Sequence, residues 1–143
     1  MYLLDINVLL ALCDEAHEFH EAAWVWFAPR RAAGWATCPL TENGFLRILG
    51  HPAHPARLGS LGAAREILAG LCQGQGHRFW PDEVSILDRT QFPELAAVTS
   101  KALTDLYLVG LAALKKARFA TFDRRVNASV VTGGPQALEV ISV

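Results

Sequence analysis

The chain is short of cysteine, of net charge and of long apolar runs, and each shortage removes a class of protein. Its three cysteines, Cys13, Cys38 and Cys72, stand far apart with no Cys-x-x-Cys pair among them. An odd, scattered set supports neither a disulfide framework nor a structural zinc knot, so reduced thiols and a cytoplasmic setting are expected. The formal net charge is -1. No broad basic field exists to bind nucleic acid unaided, and any such contact must be local. The apolar start over residues 3–13 is broken by Asp5 and Asn7 and has no basic segment before it. It fails as a signal peptide and is too short to span a bilayer, so no membrane partner is expected. There is also no internal repeat, linker or low-complexity tract.

What is present fits a single globular domain over residues 1–143. Hydrophobic residues make up 52% and charged residues 19%, enough apolar material for a real core in a chain too short to divide comfortably. The four tryptophans suit a partner surface as well as a core. Arginine and lysine gather at Arg30-Arg31, Lys115-Lys116-Arg118 and Arg124-Arg125. Such pairs could touch phosphates, although solvated helix ends are their commoner origin.

Hydrophobic spacing orders the elements. Tyr2-Leu3-Leu4 reads as a strand ending at Asp5, followed by a helix over 8–12. Phe19, Ala22, Ala23, Trp26 and Phe27 form one helical stripe within 18–33, which Pro29 bends or ends early. A buried strand over 35–38 precedes a helix that opens at Pro39, carries Phe45, Leu46, Ile48 and Leu49, and stops at Gly50. His51-Pro52-Ala53-His54-Pro55 cannot continue it. A helix over 61–71 and a third strand over 77–80 follow, and 84–89 is ambiguous. Thr104 or a neighbour is expected to cap a helix carrying Asp105, Leu108, Leu111 and Ala112. Residues 119–122 form a fourth strand, Gly133-Gly134-Pro135 a turn, and 138–143 a last strand. Strands separated by helices imply crossover connections. The expected fold class is therefore α/β, with a mainly parallel sheet of about five short strands and helices on both faces.

On that frame four acids come to one sheet edge. Asp5 closes the first strand, Asp123 closes the fourth, and Glu42 and Asp105 sit in the opening turns of helices. Carboxylates brought close together repel, and some would take up protons at neutral pH unless a cation offset their charge. An all-oxygen donor set, with neither cysteine nor an obvious histidine, suits magnesium or manganese better than zinc. His17 and His20 are three apart and do not match the His-Glu-x-x-His zinc motif. Each acid also has a plainer reading. Asp5 or Asn7 could cap the first helix, Glu42 and Asp105 could favour helix dipoles, and Asp123 could serve a turn.

Leu4-Asp5-Ile6-Asn7-Val8-Leu9, Thr41-Glu42-Asn43-Gly44-Phe45-Leu46-Arg47, Thr104-Asp105-Leu106-Tyr107-Leu108 and Ala120-Thr121-Phe122-Asp123-Arg124 together resemble the four acidic motifs of PIN-domain ribonucleases. Their order and spacing resemble those of VapC-type toxins, and the resemblance runs from the first strand to the last. It implies a PIN-like fold and an Mg2+- or Mn2+-dependent endoribonuclease, the toxin of a type II toxin-antitoxin pair. The acids would hold one or two ions around the scissile phosphate. Attack by water in line with the 3′ oxygen would leave a 5′ phosphate and a 3′ hydroxyl. On that pattern Asp5 is the central ligand, Glu42 and Asp105 complete a first ion, and Asp123 supports a second site or its waters. Asn7 and Thr121 either orient these carboxylates or the water by hydrogen bonds, or simply stabilise the cap and turn. The resemblance further implies an RNA substrate, a homodimer and a cognate antitoxin protein that occludes the site. Trp24, Phe27 and the helix over 8–12 either form a groove for that partner or belong to the core.

Two rival readings remain at this level. A phosphatase with Asp5 as covalent nucleophile would want a second aspartate two residues on, where this chain has Asn7. A non-catalytic module could use the acids to grip a metal or a basic peptide.

Overall fold

A computed structural model describes the whole chain, residues 1–143. Five short strands, β1 (Tyr2–Leu4), β2 (Trp35–Thr37), β3 (His77–Phe79), β4 (Arg118–Thr121) and β5 (Leu138–Val140), form one sheet in the order β3-β2-β1-β4-β5. Every pairing is parallel. Five helices connect them: α1 (Ile6–Cys13), α2 (His20–Phe27), α3 (Pro39–Leu49), α4 (Leu61–Cys72) and α5 (Leu103–Leu114). This is the α/β architecture that the spacing of apolar residues called for.

Successive strand residues point to opposite faces, and the core divides accordingly. Leu4, Trp35 and Ala120 pack with residues of α1 to α4, among them Leu9, Phe27, Phe45 and Leu68. Leu3, Ala36 and Phe119 pack on the other face with Leu108, Val109 and Leu111 of α5, closed over by Trp80 and Phe92. A parallel sheet buried on both sides needs unbroken apolar strands, which is what Leu3-Leu4 and Phe119-Ala120 supply. From β1 the chain winds outward through β2 to β3 with its helices on one face. It then crosses by α5 on the other face to β4, beyond β1. Connections therefore leave β1 and β4 toward opposite sides, which opens a crevice at their carboxyl ends.

Two glycines are required by close approach. Gly76 turns the chain into β3 with φ of 85°, and a Cβ there would lie 1.9 Å from the Arg31 carbonyl oxygen. A Cβ on Gly44 would meet Ile6 Cδ1 at 2.2 Å, so its absence lets α3 press onto α1. That contact fixes the helix of Glu42 against the helix that follows Asp5.

The structure settles or revises the sequence reading in four places. The stripe within 18–33 yields only α2, His20–Phe27. Pro29 has no N–H to bond the Val25 carbonyl, and the chain turns into a short 3₁₀ segment at Arg31–Ala33. Thr104 is not the cap of α5. A 3₁₀ turn, Ser100–Ala102, runs straight into the helix, so Thr104 is its second residue and the capping position, Ala102, has no polar side chain to make a capping bond. The last strand stops at Val140, because its partner β4 ends at Thr121 and Ile141 makes the final bond to the Thr121 carbonyl. Finally, Val8 to Leu12 are buried, as is Phe27, while half-buried Trp24 donates its indole N–H to the Leu12 carbonyl at 3.0 Å. The groove reading of these residues gives way to the core.

Trp35 joins these layers. It is 1% exposed, stacks edge-on against Phe27, touches His77 and donates from Nε1 to the Gln75 carbonyl. Trp35→Ala is expected to lower unfolding free energy by about 3–5 kcal/mol in urea titrations, the usual cost of emptying an aromatic core site.

Candidate active site

The crevice between β1 and β4 is organised by one hydroxyl. Thr121, the buried last residue of β4, donates from Oγ1 to Asp5 Oδ2 at 2.6 Å. The same oxygen accepts the Asp123 backbone N–H at 3.0 Å. It thus ties the end of β1 to the loop after β4. Asp5 holds the capping position of α1 yet makes no capping bond, and it is only 6% exposed. Burial pushes its pKa up to about 6, against the hydrogen bond from Thr121, and the charge of Asp105 adds to the rise. The N–H groups of Ile6 and Asn7 favour the ionised form without reaching capping geometry.

Asp105 stands in the first turn of α5 and is half-buried. It has neither a hydrogen bond nor a salt bridge within the protein. Burial raises its pKa, the charge of Asp123 raises it further, and Arg125 pulls the other way. Asp123 is better provided for. Arg125 clasps it from Nη2 and Nε at 2.8 and 3.0 Å and from its backbone N–H at 2.8 Å, which lowers the Asp123 pKa. The Arg125 side chain is 90% exposed, so water and salt screen this pair and it competes weakly with a cation of higher charge. Asp105, Asp123, Arg125 and Lys101 line one cavity of ≈ 370 Å³.

Glu42 lies on the other side of β1. Pro39 opens α3, and the cap is made by Thr41, whose hydroxyl accepts the Cys38 N–H at 2.9 Å. Glu42 is therefore not needed for capping. Its Oε1 accepts a hydrogen bond from Thr37 at 2.7 Å, and Thr37 Oγ1 also meets His77 Nε2 at 2.9 Å. The Cys72 thiol is close by, its pKa pushed up to about 11 by burial and then by the Glu42 charge. Burial lowers the His77 pKa, with Glu42 opposing. Glu42, Cys72, His77, Arg47 and Arg65 line a larger cavity of ≈ 980 Å³ between α3 and α4. Asn7 is exposed and has no side-chain hydrogen bond.

The backbone thus brings all four acids to the carboxyl edge of the sheet, but their side chains divide. Asp105 faces Asp123 and lies near enough to Asp5 for its charge to raise the Asp5 pKa, whereas the neighbours of Glu42 are Thr37, His77 and Cys72. No three Asp, Glu, His or Cys side chains stand grouped so as to hold a metal ion. Repulsion gives the physical reason: with no cation between them, Asp123 turns to an arginine and Asp5 and Glu42 to hydroxyls, while Asp105 is left without a partner. The donors nevertheless fit a hard cation. Asp5 Oδ1 has no protein partner and is not sealed from solvent, Asp105 has no partner on either oxygen, and the set is all oxygen. Sequence reasoning named Arg124-Arg125 only as a possible phosphate contact, missing the bond of Arg125 to Asp123, and it missed His77 as a neighbour of Glu42. The first was legible as an arginine two residues beyond Asp123; the second is 40 residues from Thr37 and had no local signal.

The chain is 40% identical to Ribonuclease VapC44 of Mycobacterium tuberculosis over 131 residues, 92% of each protein. It is 40% identical to Ribonuclease VapC38 of the same organism over 127 residues, 88% of this chain and 87% of that one. Ribonuclease VapC29, also from that organism, is 35% identical over 122 residues, 85% of this chain and 84% of its own. No family model matches the chain.

The raised pKa of Asp5 has a consequence for stability. The folded protein binds this proton more tightly than the unfolded chain does. The stabilisation is full below pH 3.8 and lost as pH rises through about 6. The loss amounts to about 3 kcal/mol. Asp5→Asn keeps an acceptor for Thr121 without the charge. In denaturant titrations from pH 4 to 7 the parent should lose stability relative to this variant, and parallel profiles would contradict the burial argument.

Proposed function

Because the chain belongs to the VapC ribonucleases, we propose that it is a divalent-metal-dependent endoribonuclease, the toxin of a type II toxin-antitoxin pair. The single observation that carries the metal requirement is Asp5 beside Asp105. Two partly or fully buried carboxylates, both with pKa raised and neither in an ion pair, form a negative site whose nearest guanidinium, Arg125, is already engaged by Asp123. Asp5, Glu42, Asp105 and Asp123 are the residues that would hold Mg2+ or Mn2+. A cation bound there supplies an acidified water for attack and positive charge for the leaving oxygen.

The chain's own residues do the rest of the work. Thr121 fixes the Asp5 carboxylate by its bond to Oδ2 and leaves Oδ1 for the ion. Lys101 at the rim of the Asp105 cavity and exposed Arg124 have no ion-pair partner, and they suit phosphates on either side of the cut. The remaining basic clusters are largely occupied. Arg118 and Arg30 hold Glu139, and Lys115 pairs with Glu83 beside Trp80. In-line attack by water leaves a 5′ phosphate and a 3′ hydroxyl.

The same reading includes a single domain over 1–143, a homodimer in the cytoplasm and an antitoxin that sends a basic side chain into the acids. Arg125 on Asp123 illustrates how readily a guanidinium occupies this site. No helix is long and apolar enough to cross a membrane.

Purified parent protein is expected to cut structured RNA only with Mn2+ or Mg2+ present. Asp5→Asn and Asp105→Asn should each reduce the rate by more than about 100-fold, beyond the range for outer residues of a metal site, with circular dichroism unchanged. Cleavage in chelator, or full activity in Asp5→Asn, would sink the proposal. Metal binding without cleavage would identify a binding module instead.

A further inference from the structure

The hydrogen bonds that end on Glu42 form an ordered relay outside the β1–β4 crevice. Thr37 is fully buried on β2, and a hydroxyl has one proton to give. Two groups approach it, Glu42 Oε1 at 2.7 Å and His77 Nε2 at 2.9 Å. A carboxylate oxygen accepts, so the Thr37 proton points to Glu42 and His77 Nε2 must bring its own. The Cys72 thiol near Thr37 is too weak an acceptor to divert that proton.

The sheet itself builds the relay. His77 pairs in register with Trp35, and Thr37 lies two residues along on the same face. The imidazole is seated against the Trp35 ring, with centroids 4.6 Å apart. The donor is therefore backed by a fully buried tryptophan of the core. Glu42 Oε2, by contrast, has no hydrogen-bond partner in the protein, and only Oε1 is braced.

We infer that His77 is a positioning residue for Glu42: by donating from Nε2 it commits the single Thr37 proton to Glu42 Oε1 and leaves Oε2 free to take a cation. The inference rests on the proposed role of Glu42 as a metal ligand. A glutamate has several side-chain torsions to fix on binding, and bracing one oxygen beforehand lowers that entropic cost. Thr121 does the same for Asp5 directly. His77 acts one bond further out, through Thr37.

The test is Mn2+ affinity by titration calorimetry on the full chain, with fold checked by circular dichroism. His77→Leu and Thr37→Val are each expected to weaken binding by about tenfold or more, as loss of outer hydrogen bonds does at metal sites, while His77→Gln, which restores an N–H donor, stays within about threefold. Nitrogen NMR of the metal-free parent should find the His77 ring protonated at Nε2, a measurement that needs no variant to fold. Unchanged affinity in His77→Leu, equal losses in His77→Leu and His77→Gln, or a ring protonated only at Nδ1 would each overturn the inference and leave the ribonuclease reading standing. A parent that neither binds Mn2+ nor cuts RNA would overturn both.

Discussion

A carboxylate held out of water where two paired strands send their connections to opposite sides sets the terms for the rest of this site. Asp5 is buried because β1 is the central strand of the sheet and its end is covered from both faces. An ionised group in that position is costly unless it is paired or hydrogen-bonded. Thr121 meets part of the requirement from across the gap to β4, and its second bond, to the Asp123 N–H, holds the next acid's loop in place. The charge itself is left unmet. Burial and the neighbouring Asp105 hold the Asp5 pKa near 6 rather than near that of a solvated aspartate.

The surrounding acids answer the same problem in different ways, and each answer can be reversed. Asp105 remains unpartnered at the start of α5, Asp123 takes an exposed arginine, and Glu42 takes a hydroxyl backed by an imidazole. Glu139 offers the contrast of a carboxylate used for structure. Burial would raise its pKa, but Trp26 Nε1 at 2.9 Å, Arg118 at 3.0 Å and Arg30 outweigh burial and lower it. Such a group joins β5 to α2 and has nothing left to offer a ligand. Asp5 and Asp105 are poised oppositely, and that difference separates a candidate cation site from a fastening of the fold.

Much of the fold was legible because local rules agreed with the tertiary structure. The apolar first strand with Leu3 and Leu4 both buried, the proline that opens α3 and the glycine that ends it, and the placement of α4 all follow from spacing and end signals. The failures came where a local signal was weak or tertiary context prevailed. Thr104 looked like a cap, yet the preceding 3₁₀ turn feeds α5 without one. The apolar residues of α1 and α2 are a different case: spacing left groove and core both open, and tertiary packing settled on the core, the commoner role of such a stripe.

The sequence alone determined the element order, the parallel sheet and the arrival of Asp5, Glu42, Asp105 and Asp123 at one edge, because strand ends and helix starts are local features and a parallel sheet aligns them all. Tertiary structure alone decided what each carboxylate touches. Thr121 is 116 residues from Asp5 and His77 is 40 from Thr37. No spacing rule reaches that far, since side-chain pairing depends on strand register and on which face each residue turns to its neighbour.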